Sequence, residues 1–197
     1  MSMPLKFTSL GSAAVLAWVI LISGYPFNLT AQATTRQLSA DEYSLKAAFL
    51  YNLTKFLDWP PEKFPQEDSS LVIGVDGDGA LESFRTVMQG KTIAKHRVEI
   101  RLIQNDAEIK DCDILFLTRT QRKPSEEKLN LANKAAVLTV GETDKFLASG
   151  GMIRFYLEGD NLRLEIDNDS IHQAGLSIKA NALSTLISKG IVKLRKL

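Results

Sequence analysis

The stretch most suggestive of chemistry is Gly74-Val75-Asp76-Gly77-Asp78-Gly79, a glycine-rich turn after an apolar run. Such a turn can cradle phosphate against a helix amino terminus. Its spacing matches neither the dinucleotide fingerprint nor the phosphate loop, no Lys-Ser/Thr pair directly follows it, and Asp76 and Asp78 would repel an anion. Turn geometry and helix capping account for these residues. A calcium loop beginning at Asp76 needs a glutamate where Val87 stands. His96, His172 and Cys112 lie too far apart in sequence to suggest a zinc set. Asp111 and Asp113 flank Cys112 and disfavour its thiolate, so it reads as a small core residue. Nucleophilic catalysis needs a Ser, Thr or Cys beside an oriented base. His172 and Ser177 do not share a helix face, and there is no Gly-x-Ser-x-Gly elbow. Glu165 and Asp167, at strand spacing, are expected on one solvated face. No catalytic residue, metal or cofactor is assigned.

Recognition remains, and its best local candidate is Asp58-Trp59-Pro60-Pro61-Glu62-Lys63-Phe64-Pro65. Prolines lower the entropy lost on ordering a loop, while Trp59 and Phe64 offer the apolar area of interface anchors. We take Asp58, Trp59 and Phe64 as partner-contact candidates. The same loop also reads as a rigid plug in which Trp59 finishes the packing of the preceding helix.

The elements that position these residues follow one another closely. Ser39-Ala40-Asp41-Glu42 has the form of a capping box, so a helix is expected to start there. Leu45, Phe49, Leu53 and Phe56, with Ala48 and Leu57 beside them, would form its apolar face until Trp59 meets Pro60. Leu71 to Val75, Ile114 to Leu117 and Ala136 to Val140 are continuous apolar runs, the mark of strands buried on both faces. Arg97 to Ile103 alternates like a half-buried strand, and helices are expected over about Ala80 to Gln89 and Ser125 to Asn133. Met152 to Leu157 and Leu162 to Ile166 flank Glu158-Gly159-Asp160-Asn161 and predict an antiparallel hairpin. A short helix at Asn168 to Ala174, ended by Gly175, precedes a last helix at about Ala180 to Lys189, with Leu183, Leu186 and Ile187 inward. The basic cluster Lys189, Lys193, Arg195 and Lys196 would complement its dipole. Alternating strands and helices predict a single α/β domain with a mainly parallel central sheet covered by helices and a C-terminal antiparallel hairpin.

The amino terminus sets the compartment. Lys6 precedes the apolar run Ala13 to Ile22, and Ala31-Gln32-Ala33 has the small-x-small form read by a signal peptidase. The run is short for a membrane span of about 20 residues. We expect residues 1–33 to be a signal peptide and 34–197 a periplasmic domain, the alternative being an uncleaved anchor in the inner membrane facing the periplasm. Lys6 is the one basic residue before Thr34, leaving 23 Lys and Arg against 23 Asp and Glu in the remainder, so bulk charge courts neither nucleic acid nor an anionic membrane. With one cysteine, no disulfide forms within the chain.

Leu45-Lys46-Ala47-Ala48-Phe49-Leu50-Tyr51-Asn52-Leu53-Thr54-Lys55-Phe56-Leu57-Asp58-Trp59-Pro60 resembles the opening of the YfiR family. Cys112 to Leu117 is similar to that family's Cys-x-Ile-Leu-Phe strand. Val137 to Val140, with Phe146 and Gly150-Gly151-Met152-Ile153, resembles its Leu-Thr-Val and Gly-Gly-Met-Ile segment, and Leu164-Glu165-Ile166 with Ala174-Gly175-Leu176 its carboxy-terminal part. Asp167 stands where an Asn is usual, and Cys112 lacks the second cysteine of some relatives. The resemblance implies a non-catalytic periplasmic regulator that binds the periplasmic sensor region of a membrane-bound diguanylate cyclase, or similar signalling receptor. It would thereby restrain cyclic di-GMP synthesis and biofilm formation, as a repressor that is itself a homodimer. A periplasmic small-ligand binding module is the alternative, with a crevice near Asp76 and Thr118 at the carboxyl ends of the parallel strands. A hydrolase would need a nucleophile that the chain does not display.

Overall fold

The computed structural model describes residues 29–64, 66, 68–119 and 126–195. The chain divides into two compact units, residues 1–36 and 37–197. Most of the expected signal peptide lies outside the described residues. The elements run α1 (Leu29–Thr54), β1 (Leu57–Asp58), β2 (Leu71–Asp76), α2 (Asp78–Met88), β3 (Thr92–Ile93), β4 (His96–Leu102), β5 (Ile114–Leu117), α3 (Glu126–Lys134), β6 (Leu138–Gly141), β7 (Ile153–Glu158), β8 (Asn161–Ile166), α4 (Asn168–Gln173), β9 (Ser177–Ile178), α5 (Ala180–Ser188) and β10 (Val192–Leu194).

The expected architecture is present. Eight strands form one sheet in the order β10-β8-β7-β6-β5-β2-β4-β3. β4, β2, β5, β6 and β7 are mutually parallel, and β7 and β8 make the antiparallel hairpin. Renumbered among themselves, the parallel strands have the doubly wound order 2-1-3-4-5, in which the winding reverses between β2 and β5. β2, β5 and β6 are buried at every position, as their unbroken apolar runs predict. One core joins α1, α2 and α4 to one sheet face; a second, smaller core holds Val72, Ile103, Cys112, Leu115, Leu129 and Phe146 on the other.

Two glycines shape the second core. Phe146 is 1 % exposed, and its ring lies where a side chain at Gly141 or Gly151 would begin: a Cβ at those positions would sit 2.4 Å and 2.3 Å from ring atoms. The glycines therefore form a slot for the ring, which gives the Gly-Gly-Met-Ile motif a packing role. Gly159 opens the hairpin turn at φ +60°, a region open to glycine because it lacks a Cβ. The β3–β4 turn, also of two residues, instead places Ala94 at φ 50° and Lys95 at φ 76°, where L side chains are strained.

Several expectations need correction. The helix does not begin at Ser39: α1 already runs from Leu29, and the Glu42 carboxylate accepts from Lys46 and Arg119. α1 ends at Thr54, and Leu57–Asp58 pairs antiparallel with β9. The buried face of α1 is Tyr43, Lys46, Ala47, Leu50, Leu53 and Thr54, while Leu45 is 48 % and Phe56 39 % exposed. The helix is apolar on two stripes, and the sheet selected the one its partners fit. Ile187 is exposed rather than inward. The basic tail does not merely follow the last helix, because Val192–Leu194 pairs parallel with β8 and the Arg195 guanidinium donates to Asp167 and to the Leu147 carbonyl. Asp167 is thus buried rather than solvated, and its carboxylate also caps α4 by accepting from Ser170 N. Glu165 is held by Arg154.

Candidate functional site

The carboxyl ends of the parallel strands converge on charge. Asp76 ends β2, and its buried carboxylate accepts from Lys128 Nζ at 2.8 Å, with Asp106 3.2 Å from the same ammonium. α2 has no side-chain cap, so the capping role expected of the glycine-rich turn gives way to this ion pair. Thr118, just past β5, donates its hydroxyl to the Asp76 carbonyl at 2.8 Å. Next to it, Arg119 reaches both Glu42 and Glu142.

Lys46 and Glu142 have side chains only 2 % exposed and bond to each other, with Glu42 as the second acceptor for Lys46. Two residues of α1 are thereby joined to the ends of β5 and β6 by alternating charges. Burial alone would raise the Glu42 pKa, but Lys46 and Arg119 outweigh it and hold the carboxyl below its ordinary value. The Tyr43 phenol, pushed up to about 12 by burial and by Glu142, stays protonated and donates toward that carboxylate at 3.5 Å. A cavity of about 330 Å³ opens here, lined by Arg119, Arg154 and Asp144 as well as the buried pair. The sequence pointed to Asp76 and Thr118, but not to the partners α1 supplies.

The aromatic loop lies along another part of the domain. Asp58, exposed on β1, is 3.8 Å from Lys179. Trp59 meets Phe64 edge to face at 5.8 Å, and Phe64 stacks on His96 at 4.2 Å. His96 Nδ1 lies 2.8 Å from the Ser69 carbonyl, which only accepts, so that nitrogen carries the proton. Both Trp59 and Phe64 are half-buried against the core, as the plug reading requires. Lys63 fixes the loop by donating to the Cys112 and Ala135 carbonyls at 3.1 and 3.0 Å. The loop is therefore preorganised, with only part of its aromatic surface left open.

Phe56, just before it, belongs to a groove that sequence reasoning missed. Phe49 and Leu53 of α1, with Phe56 just past its end, face Leu164, Leu186 and Ile191 across a cavity of about 210 Å³ with Asn52 at its margin. Lys179 N donates to the Phe56 carbonyl, so the groove and the Asp58–Lys179 pair adjoin. The signal was available in the width of the apolar arc of α1, which exceeds what one core face needs.

The Ser69 hydroxyl lies 3.4 Å from His96 Nδ1 but donates to the Gln66 carbonyl at 2.7 Å, while that nitrogen is turned to the Ser69 carbonyl, so the two do not form a nucleophile and base; His172 is exposed on α4 and Ser177 pairs with Asp58 across the small sheet. Among the described residues no cluster of three or more His, Cys, Asp or Glu is placed to hold a metal ion. Burial and then Asp113 push the Cys112 thiol up to about 11, which leaves it protonated near neutrality. In an Ellman assay the native thiol is expected to react at least about 100-fold more slowly than in urea; equal rates would contradict its burial.

The fold thus defines a doubly wound α/β domain whose open features are an ion-paired crevice and an apolar groove. The YfiR/HmsC-like family model matches residues 43–185, and the chain belongs to that family. Among curated proteins there is no match. Solved structures similar to it include the crystal structure of a conserved domain protein from Vibrio cholerae O1 biovar El Tor str. N16961, with 10% sequence identity and a TM-score of 0.47. The similarity covers 64% of this chain and 55% of that one, so the chain spans little more than half of its length. Among the described residues no helix is long and apolar enough to cross a membrane.

Proposed function

We propose that this chain is a non-catalytic periplasmic regulator that binds the periplasmic sensor region of an inner-membrane diguanylate cyclase and restrains cyclic di-GMP synthesis, and with it biofilm formation. Family membership over residues 43–185 is the observation that carries this reading. The contact face we assign is the fixed loop with Asp58, Trp59 and Phe64, continued by the apolar groove at Phe49 and Phe56. Apolar area with a charged rim suits a protein partner. Export rests on the apolar run Ala13 to Ile22 and the Ala31-Gln32-Ala33 site.

Deleting the gene is expected to raise cyclic di-GMP, and the protein should co-purify with one membrane cyclase from solubilised membranes. A folded Phe56→Asp, Asp58→Lys variant should lose that partner and reproduce the deletion. Unchanged cyclic di-GMP in the deletion strain would sink the proposal.

A second reading, a small-ligand binding module, is favoured by the 330 Å³ cavity at the strand ends. A thermal-shift screen tests it, since a ligand at 100 times its dissociation constant adds about 2.7 kcal/mol.

A further inference from the structure

The apolar groove at Phe56 extends beyond the part that faces Leu164. A second cavity of about 370 Å³ adjoins it, and Phe56, Leu186 and Ile191 line both. α5 starts against the end of α1, where Lys179 N donates to the Phe56 carbonyl, and by Leu186 it shares a cavity with Phe49 and Leu53. The two helices therefore lie side by side with the groove between them. Phe49, Asn52, Leu53 and Phe56 recur at helical spacing along one wall; Asn181, Thr185 and Leu186, with Lys189 just past the end of α5, recur along the other. Each wall is about 10 to 12 Å long, or about two turns of helix. Ala182 is the one buried residue of α5, so most of its apolar surface is left over for another contact.

The backbone at this groove is already spoken for. The Phe56 carbonyl accepts from Lys179 N, Ile191 N donates to the Leu186 carbonyl, and the Ile191 carbonyl accepts from Leu164 N. An extended segment laid here would bury N–H and C=O groups with nothing to bond them, which is costly. A helix brings its own backbone bonds, so an apolar helix face is the occupant such a groove accepts. A lipid surface suits it less, because the apolar residues line a concavity instead of projecting into the acyl boundary. Charge narrows the helix further. Lys55 donates to Asn52 Oδ1 at 3.1 Å, which holds it at the α1 rim, and Lys189 lines the α5 side. Both lysines are exposed, and among the described residues no carboxylate pairs with either. Asp58 at the groove's end already faces Lys179, at 3.8 Å. Cations thus stand on both flanks, where acidic side chains of an incoming helix would meet them.

We propose that this groove seats one amphipathic helix of the cyclase's periplasmic region, apolar at i, i+3, i+4 and i+7 and bordered by Asp or Glu on both flanks. The inference rests on the regulator reading above and adds the shape and charge of the partner segment. Phe49, Phe56 and Leu186 supply the apolar contact, while Lys55 and Lys189 select the partner by charge.

Two labelled model helices of about 18 residues, long enough to hold a helix in water, test it by fluorescence anisotropy on protein purified from cells expressing the full chain. Both carry leucine at the apolar positions; one has glutamate on its flanks and the other lysine. The glutamate helix should bind at least about tenfold more tightly at about 50 mM salt, an advantage that shrinks at about 500 mM. Lys55→Glu with Lys189→Glu, at two exposed positions, should reverse the preference, and Phe56→Asp should weaken both helices, with circular dichroism confirming that each variant folds. The reversed variant should also lose the cyclase from solubilised membranes. Equal binding of the two helices, or a preference that survives the reversal, overturns the inference. So does self-association, or co-flotation with phosphatidylglycerol vesicles, that Phe56→Asp abolishes, since the groove would then belong to a second copy or a lipid surface. A cyclase that still co-purifies with the reversed variant leaves the regulator reading standing and removes only the charge-selected helix. A glutamate helix that binds as expected while gene deletion leaves cyclic di-GMP unchanged removes the cyclase as the source of the helix.

Discussion

Gly151→Ala is expected to cost about 3 kcal/mol of folding stability, the upper end of the range for overpacking. The added methyl begins 2.3 Å from the Phe146 ring, and Gly141 blocks the other side of that ring at 2.4 Å. The ring is 1 % exposed, so it cannot swing to solvent, and the backbone of β6 or of the segment before β7 must shift instead. Gly141→Ala should behave alike. Phe146→Ala alone costs about 3 to 5 kcal/mol through its cavity, yet combined with Gly151→Ala it should cost clearly less than the sum, because the new methyl enters the space the ring leaves. Urea denaturation of the three variants measures this. An unchanged midpoint for Gly151→Ala, or strict additivity, would show that the ring does not occupy a slot between the glycines.

Breaking the buried pair should weigh as heavily. Lys46→Met leaves Glu142, 2 % exposed, with only Arg119 and Tyr43 beside it. Removing one partner of a buried pair typically costs about 3 to 5 kcal/mol. Replacing both, as Lys46→Met with Glu142→Leu, should recover most of that loss, because it also removes the cost of burying the charges. The pH dependence has a definite sign. Glu42 has a folded pKa below its ordinary 4.5, so its contribution is complete above 4.5 and lost as pH falls through the lower folded value. Wild type should therefore lose stability in that acid window, and Lys46→Met should lose less there, having given up one cause of the shift. Chemical denaturation at about pH 7, 5, 4 and 3 reads both effects. Equal acid slopes would mean Lys46 does not stabilise the Glu42 carboxylate.

These two clusters also show which parts of the molecule were readable in the sequence. β2, β5 and β6 were, since burial on both faces leaves an unbroken apolar run. The β7–β8 hairpin was readable because its turn chemistry is local. The short strands β1, β3, β9 and β10 have two or three residues each, and their pairing is decided by distant partners, so no local period marks them. Asp167 was misjudged for the same reason: Arg195, which draws it out of solvent, arrives 28 residues later. The loop from Asp58 to Phe64 stood out by its composition, whereas the groove beside it depends on the rotation of α1, which only its packing fixes. Lys46 carried no signal of burial, because lysine is normally a solvated residue and Glu142 lies 96 positions away.

The bond from Arg195 to Asp167 and to the Leu147 carbonyl bears on the order in which the molecule is completed. A polypeptide delivered across a membrane amino end first presents β8 long before β10, the strand that lies beside it. Until that last segment emerges, β8 offers a bare flank and Asp167 a charge that Arg195 has yet to match, so that rim is open to unwanted contacts. Under the export proposed above, copies whose delivery stalls late should therefore be the ones that chaperones hold and proteases trim.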